Sequence, residues 1–140
     1  MRLLCPICQG ERDIDGFVYR CDKCDEPLEV QYDLENLKER LSPRAFEGRP
    51  WNMWRYSELL PVDADGRISL QEGGTPLHLG TRLGEKLSLE RLYLKDETRN
   101  PTGSFKDRGS SVGVSKAAQL RANAVGCVST GNMAASMAAY

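Results

Sequence analysis

Apolar residues fall into short, separable groups along the chain. Phe17-Val18-Tyr19 follows Asp15-Gly16, a pattern that predicts one strand of a hairpin turned at the glycine. Asp33 is placed to cap a short helix whose Leu34, Leu37 and Leu41 share one stripe and which Ser42-Pro43 ends. Residues 43–50, with two prolines and a glycine, predict a linker. Trp51, Trp54 and Tyr56 follow as expected packing anchors. Asp63-Ala-Asp65-Gly66 lacks the glutamate that would complete a calcium loop and predicts a turn.

Beyond residue 90 strand and helix alternate. Leu92–Leu94 predicts a strand, residues 100–104 a loop, 106–121 a helix and Ala124–Val128 a second, buried strand, with a helix restarting near Asn132. Strand, helix and strand at this spacing predict a right-handed unit of a parallel sheet, an α/β class. The last segment, 132–140, is apolar nearly all round and lacks a stop signal. Such a helix needs burial on several sides, and a parallel sheet needs further strands. The expectation is therefore the front portion of a larger protein.

Composition narrows the function classes. The chain has 140 residues, 19 Lys plus Arg against 20 Asp plus Glu, and a formal net charge of −1. That balance argues against a nucleic-acid partner, since such proteins carry excess cations. No apolar run reaches the roughly 18 residues of a membrane span. No secretory core precedes the first cysteine, so a cytoplasmic location is expected, with no membrane partner.

Cys5-Pro-Ile-Cys8 and Cys21-Asp-Lys-Cys24 are separated by twelve residues. Each tight turn aims two thiolates at one point, so Cys5, Cys8, Cys21 and Cys24 predict a structural, tetrahedral Zn(II) site in a zinc ribbon over residues 1–30. A redox pair is the competing reading, but redox pairs open a helix and no helical pattern follows either motif. A zinc-ribbon binding module joined to a catalytically silent α/β fragment is a rival reading, but nucleic-acid binding by it is disfavoured by seven acidic residues against four basic ones in this span. Cys127, alone in an apolar run, is expected to be a buried small hydrophobe. The single histidine, His78, excludes a His-dependent triad and is expected to be exposed.

Asn100-Pro-Thr-Gly103-Ser-Phe105-Lys106-Asp-Arg-Gly109 presents a lysine from a Pro-Gly loop at the start of a helix. There the helix dipole and burial both disfavour an ammonium, which suits a nucleophilic amine; a solvated helix terminus is the plainer alternative. Val128-Ser-Thr-Gly131-Asn132-Met-Ala-Ala runs strand, small-residue turn, helix, a geometry whose free N–H groups suit carboxylate or phosphate, or which is simply a turn. Gly109 and Gly113 would allow close approach to the lysine helix. The purpose of the Glu72-Gly-Gly-Thr75-Pro-Leu77 loop is not disclosed by its spacing.

Glu-Gly-Gly-Thr-Pro-Leu (72–77), Leu-Lys-Asp-Glu (94–97), the lysine motif (100–109) and Ser-Thr-Gly-Asn (129–132) occur together in this order. Over residues 51–140 the chain resembles the threonine synthase family of fold type II pyridoxal-phosphate enzymes, some of which carry a zinc-ribbon-like unit in front. The resemblance implies an incomplete three-layer, parallel-sheet domain of the tryptophan synthase β-like class behind the ribbon, with residues 31–50 as helix and linker. It implies pyridoxal 5′-phosphate bonded to Lys106, with Phe105 beside it and Asn132 on its 3-hydroxyl oxygen. Ser129, Thr130, Gly131 and Met133 would hold the carboxylate of a small amino-acid substrate. The implied reaction converts O-phospho-L-homoserine and water to L-threonine and phosphate; cysteate synthase or threonine dehydratase chemistry are the sibling alternatives. Whether the full-length protein is a homo-oligomer is left open by these residues. The glycine-rich loop for the cofactor phosphate is not found in these 140 residues, so the chain alone is expected to be inactive.

Overall fold

The computed structural model describes residues 1–140. Three short strands open the chain: β1 (Arg2–Leu4), β2 (Glu11–Arg12) and β3 (Glu29–Gln31), an antiparallel sheet ordered β2-β1-β3. Leu3 faces both Arg12 and Val30 in register. Only Leu3, Cys5 and Cys21 are buried in this unit, far too little apolar surface to fold it alone. Residues 17–19 do not form the predicted strand; Leu28 donates to the Tyr19 carbonyl and a single bridge joins Arg20 to Pro27. The extended pairing is taken by β1, which sits between the other two strands, so Phe17 and Tyr19 remain exposed.

Helix α1 (Leu34–Arg40) starts where Asp33 accepts from the Asn36 N–H and stops before Pro43, as the pattern predicts. Residues 43–50 are tied to the next segment: Arg49 grips Glu58 through two 2.8 Å bonds, and Phe46 meets Tyr56 edge to face at 5.0 Å. Within the 3₁₀ segment Met53–Leu59, Asn52 caps Trp54, and Met53, Trp54 and Val62 form a small apolar core touched by Leu60 and Val112. Trp54 is the anchor expected of it; Trp51 is exposed, with the Arg55 guanidinium 4.2 Å over its ring.

Strand β4 (Leu77–Leu79), helix α2 (Thr81–Leu87), strand β5 (Tyr93–Lys95), helix α3 (Lys106–Gln119) and helix α4 (Asn132–Ala139) complete the chain. The molecule is α/β, but its pairings are antiparallel: β5 lies against β4, with Leu94 opposite His78. Residues 124–129 have no strand beside them, which leaves Val125, Cys127 and Val128 exposed rather than buried. A strand's backbone needs a neighbouring edge, and these residues provide none for that segment. No helix is long and apolar enough to cross a membrane.

Most of the buried side chains are polar, among them Glu72, Asn100, Asp107, Ser110, Ser111, Ser115 and Ser136. The inward stripe of α3 reads Asp107, Ser110, Ser111, Val114, Ser115, a helical spacing filled by serines where leucines are usual. Hydrogen bonds therefore carry the packing in this region.

Candidate functional site

The two cysteine turns are congruent. Cys5 N–H donates to the Gly10 carbonyl and Gln9 N–H to that of Cys5; Cys21 and Asp25 repeat the arrangement with Glu26 and Cys21. Gln9 and Asp25, each four residues past the first cysteine of its turn, both take a left-handed conformation. The Cys8 and Lys23 amides point at the sulfurs of Cys5 and Cys21, each at 3.5 Å. Across the turns Cys5 Sγ lies 3.3 Å from Cys24 Sγ and Cys8 Sγ 3.5 Å from Cys21 Sγ, and all four sulfurs fall within 4.8 Å of one another. Zn–S bonds of about 2.3 Å require sulfurs about 3.8 Å apart in a tetrahedron. Backbone N–H groups of Lys23 and Cys24 hold the Cys21 thiol down at about 6, and that of Cys8 lowers Cys5. The side-chain hydrogen bond with Cys5 pushes Cys24 up to about 12. This donor set is compatible with a metal ion.

The second cluster is built on three carboxylates. Glu72, fully buried, accepts from Trp54 Nε1 at 2.6 Å, Leu70 N–H at 2.9 Å and Tyr140 Oη at 2.8 Å. Burial pushes its carboxyl up, but hydrogen bonds from Ser111, its own backbone, Tyr140 and Trp54 together hold it below the usual range. Its neighbours Gly73 and Gly74, at φ of 88° and 60°, lie backbone on backbone against residues 51–53. A Cβ on Gly74 would stand 2.1 Å from the Trp51 carbonyl oxygen, so only glycine fits. That answers what the Glu72–Leu77 loop is for. Gly73 N–H donates to Asn100 Oδ1 at 2.9 Å, joining it to the lysine loop.

Glu97 takes two bonds from Arg108, at 2.7 and 2.9 Å, one from Thr75 Oγ1 at 2.7 Å and one from Asn100 Nδ2 at 3.0 Å. The Arg108 pairing holds its carboxyl down at about 2. Since the folded state depresses this group from its ordinary 4.5, its contribution to stability is present above that value and is lost as pH falls toward 2. In urea titrations from pH 6 to pH 2.5, the full-length protein is expected to lose more stability than its Glu97→Gln variant; parallel losses would exclude the pairing as a source.

Asp107, fully buried, accepts from Thr102 N–H at 2.7 Å, Thr102 Oγ1 at 2.5 Å and Ser136 Oγ at 2.6 Å. Burial raises its carboxyl, and the Ser136 and Thr102 bonds outweigh that to lower it. Ser136 Oγ also meets Ser110 Oγ at 2.8 Å. Ser136 of α4 thus lies beside Asp107 and Ser110 of α3, and Tyr140 reaches Glu72, whose partner Trp54 Nε1 also donates to Ser111 Oγ at 3.1 Å. Helix α4 is therefore tied, one turn past its start, to the first turn of α3.

The residues singled out in the sequence stand at the starts of these two helices. Lys106 is the first residue of α3, half-buried, its amide donating to Ser104 Oγ at 3.3 Å and its Nζ 4.7 Å over the exposed Phe105 ring. Ser129 Oγ accepts from Gly131 N–H at 3.2 Å, and α4 begins at Asn132 with no side-chain cap. Thr130, Gly131 and Asn132 are exposed, Ser129 and Met133 partly so. No hydrogen bond joins the 129–133 turn to Lys106. Gly109 and Gly113 follow Lys106 along the same side of α3, and a Cβ on either would meet nothing within 4 Å. His78 is exposed, as expected, 3.7 Å from Asp96. Sequence reasoning did not select Glu72, Glu97, Asp107 or Ser136; the available signal was carboxylates set among glycines and serines, with no apolar period to explain their retention.

Residues 68–140 match the family described as pyridoxal-phosphate dependent enzyme. The chain is 47% identical over 137 residues to threonine synthase of Methanocaldococcus jannaschii, covering 97% of this chain and 34% of that protein. It is 46% identical over 138 residues to threonine synthase of Methanosarcina acetivorans, covering 99% and 33%, and 45% identical over 101 residues to that of Mycobacterium tuberculosis, covering 70% and 28%. The chain thus spans about a third of the length of the curated relatives it matches.

Proposed function

The chain belongs to the pyridoxal-phosphate-dependent enzyme family, and from that premise we propose that it supplies the lysine-bearing part of a threonine synthase. The full-length protein then converts O-phospho-L-homoserine and water to L-threonine and phosphate. The observation that supports this reading is the bonding of Ser136 to Asp107 and Ser110, which ties α4, one turn past the Ser129–Met133 turn, to the end of α3 that begins with Lys106. The donor set at that end fits the cofactor. Lys106 offers an amine, the Phe105 ring an apolar flank, and the Thr130 and Asn132 side chains are not engaged by the rest of the chain. Open space over Gly109 and Gly113 leaves room beside the lysine.

Pyridoxal 5′-phosphate supplies an electron sink for carbanion chemistry at a bound amino acid. In this reading Lys106 anchors the cofactor and afterwards moves protons at its Nζ. Asn132 donates to the 3-hydroxyl oxygen. Ser129, Thr130 and the backbone at Gly131 and Met133 bind the substrate carboxylate, using the uncapped start of α4. The three-layer parallel sheet of the tryptophan synthase β-like class belongs to the same reading, in which residues 124–129, with Val125 and Val128 exposed, would form a strand only when paired.

For residues 1–30 the reading is a structural Zn(II) ribbon, supported by the congruent turns and the four close sulfurs. Four thiolates leave no open position for a catalytic water. The test of the main reading is a coupled assay of the full-length protein with cofactor and O-phospho-L-homoserine. Phosphate and threonine are expected in equal amounts. Ketoacid formation from threonine instead, without phosphate release from the phosphorylated substrate, would overturn it.

A further inference from the structure

The side chain immediately after the cofactor lysine takes no part in the roles just assigned, yet it is the one carboxylate on α3 and is fully buried. Asp107 is fully buried and makes three short bonds, two to Thr102 in the loop that presents Lys106 and one to Ser136 in α4. Thr102 precedes the lysine by four residues; Ser136 follows Asn132 by one helical turn. One carboxylate therefore joins the two segments that supply the site. α4 has little else to fix it at this end: Ser136 is its only buried residue, although the helix is rich in Ala and Met. Apolar packing tolerates sliding and rotation of a smooth helix, whereas a buried charged hydrogen bond specifies one register.

We propose that Asp107 is a positioning residue that, through Ser136, fixes the rotation and height of α4 and so keeps the Ser129–Met133 turn level with the Lys106 amine. The inference rests on the cofactor reading above and deepens it. Ser136 acts as the removable link: deleting its hydroxyl spares both Thr102 bonds and so leaves the lysine loop in place. Lys106 then keeps its cofactor while the turn that holds the substrate carboxylate loses its register. The signature is a loss of substrate affinity with retained cofactor binding.

The experiment compares full-length wild type, Ser136→Ala and Ser136→Thr. In S136A the KM for O-phospho-L-homoserine is expected to rise roughly tenfold, and kcat to fall less than about threefold. Borohydride labelling at Lys106 is expected to stay within about twofold of wild type, because Thr102 still holds the loop. Amides Ala135–Ala138 of the cofactor-free protein are expected to exchange about tenfold faster, and S136T, which retains the hydroxyl, to restore KM and exchange together. Unchanged KM and exchange in folded S136A would overturn the proposal, as would an equal loss of kcat at constant KM. If S136A does not fold, Asp107→Asn, which leaves one acceptor oxygen for three donors, is judged by the same two readouts. A wild-type protein that takes no label at Lys106 would bring down the cofactor reading, and the exchange comparison alone would then decide the Asp107–Ser136 link.

Discussion

Replacing Lys106 with alanine in the full-length protein is expected to lower the rate of phosphate release from O-phospho-L-homoserine by on the order of 10³-fold or more. No other lysine lies between residues 96 and 115, so nothing near the start of α3 can take its place. The side chain is half-buried and its one aromatic contact is with the neighbouring Phe105, so its removal leaves the buried carboxylates untouched and the fold intact. Lys106→Arg separates charge from chemistry: it keeps the cation but cannot bond the cofactor, and it is expected to be as inactive as the alanine variant. Borohydride treatment of wild type followed by peptide mapping is expected to place the cofactor on the peptide containing Lys106. Activity of either variant within tenfold of wild type would remove this lysine from the reaction.

The second large effect concerns the proposed metal site at Cys5, Cys8, Cys21 and Cys24. Residues 1–30 bury only Leu3, Cys5 and Cys21, while Ile7, Phe17, Val18 and Tyr19 remain exposed, so hydrophobic burial cannot offset the chain entropy of thirty residues. Structural zinc sites in small peptides bind with an apparent free energy of about 10–16 kcal/mol near neutral pH, and that energy is the folding energy of such units. Purified full-length protein is expected to carry one zinc per chain. Chelation, or Cys21→Ser, is expected to abolish the exchange protection of the β1 and β3 amides while the amides of α3 keep theirs. A metal-free preparation whose β1–β3 amides stay protected would rule out a structural metal.

How far these features could be read in advance depended on what held each element. α1 and its stop were legible because their signals are local: a capping aspartate, a leucine stripe and a proline. The start of α3 was legible because loop chemistry and a lysine sit together in the chain. The expected strands at 17–19 and 124–128 illustrate the opposite case. Each is a run of apolar residues, but strand formation depends on a neighbouring edge that the run does not specify. Cys127 was expected to be buried for the same reason and is exposed. The carboxylate network was invisible because its bonds cross long sequence separations, as from Tyr140 to Glu72 and from Ser136 to Asp107. A polar interior leaves no periodic trace in hydropathy, whereas an apolar one does.

The seating of Gly73 and Gly74 on residues 51–53 bears on how such a sequence can change over time. Main-chain atoms are common to every amino acid, so this contact survives most replacements on the other partner, including the exposed Trp51. Tolerance is concentrated on one surface and intolerance on two adjacent positions with no side chain. Random mutation should therefore leave an asymmetric footprint, permissive at 51 and closed at 73 and 74.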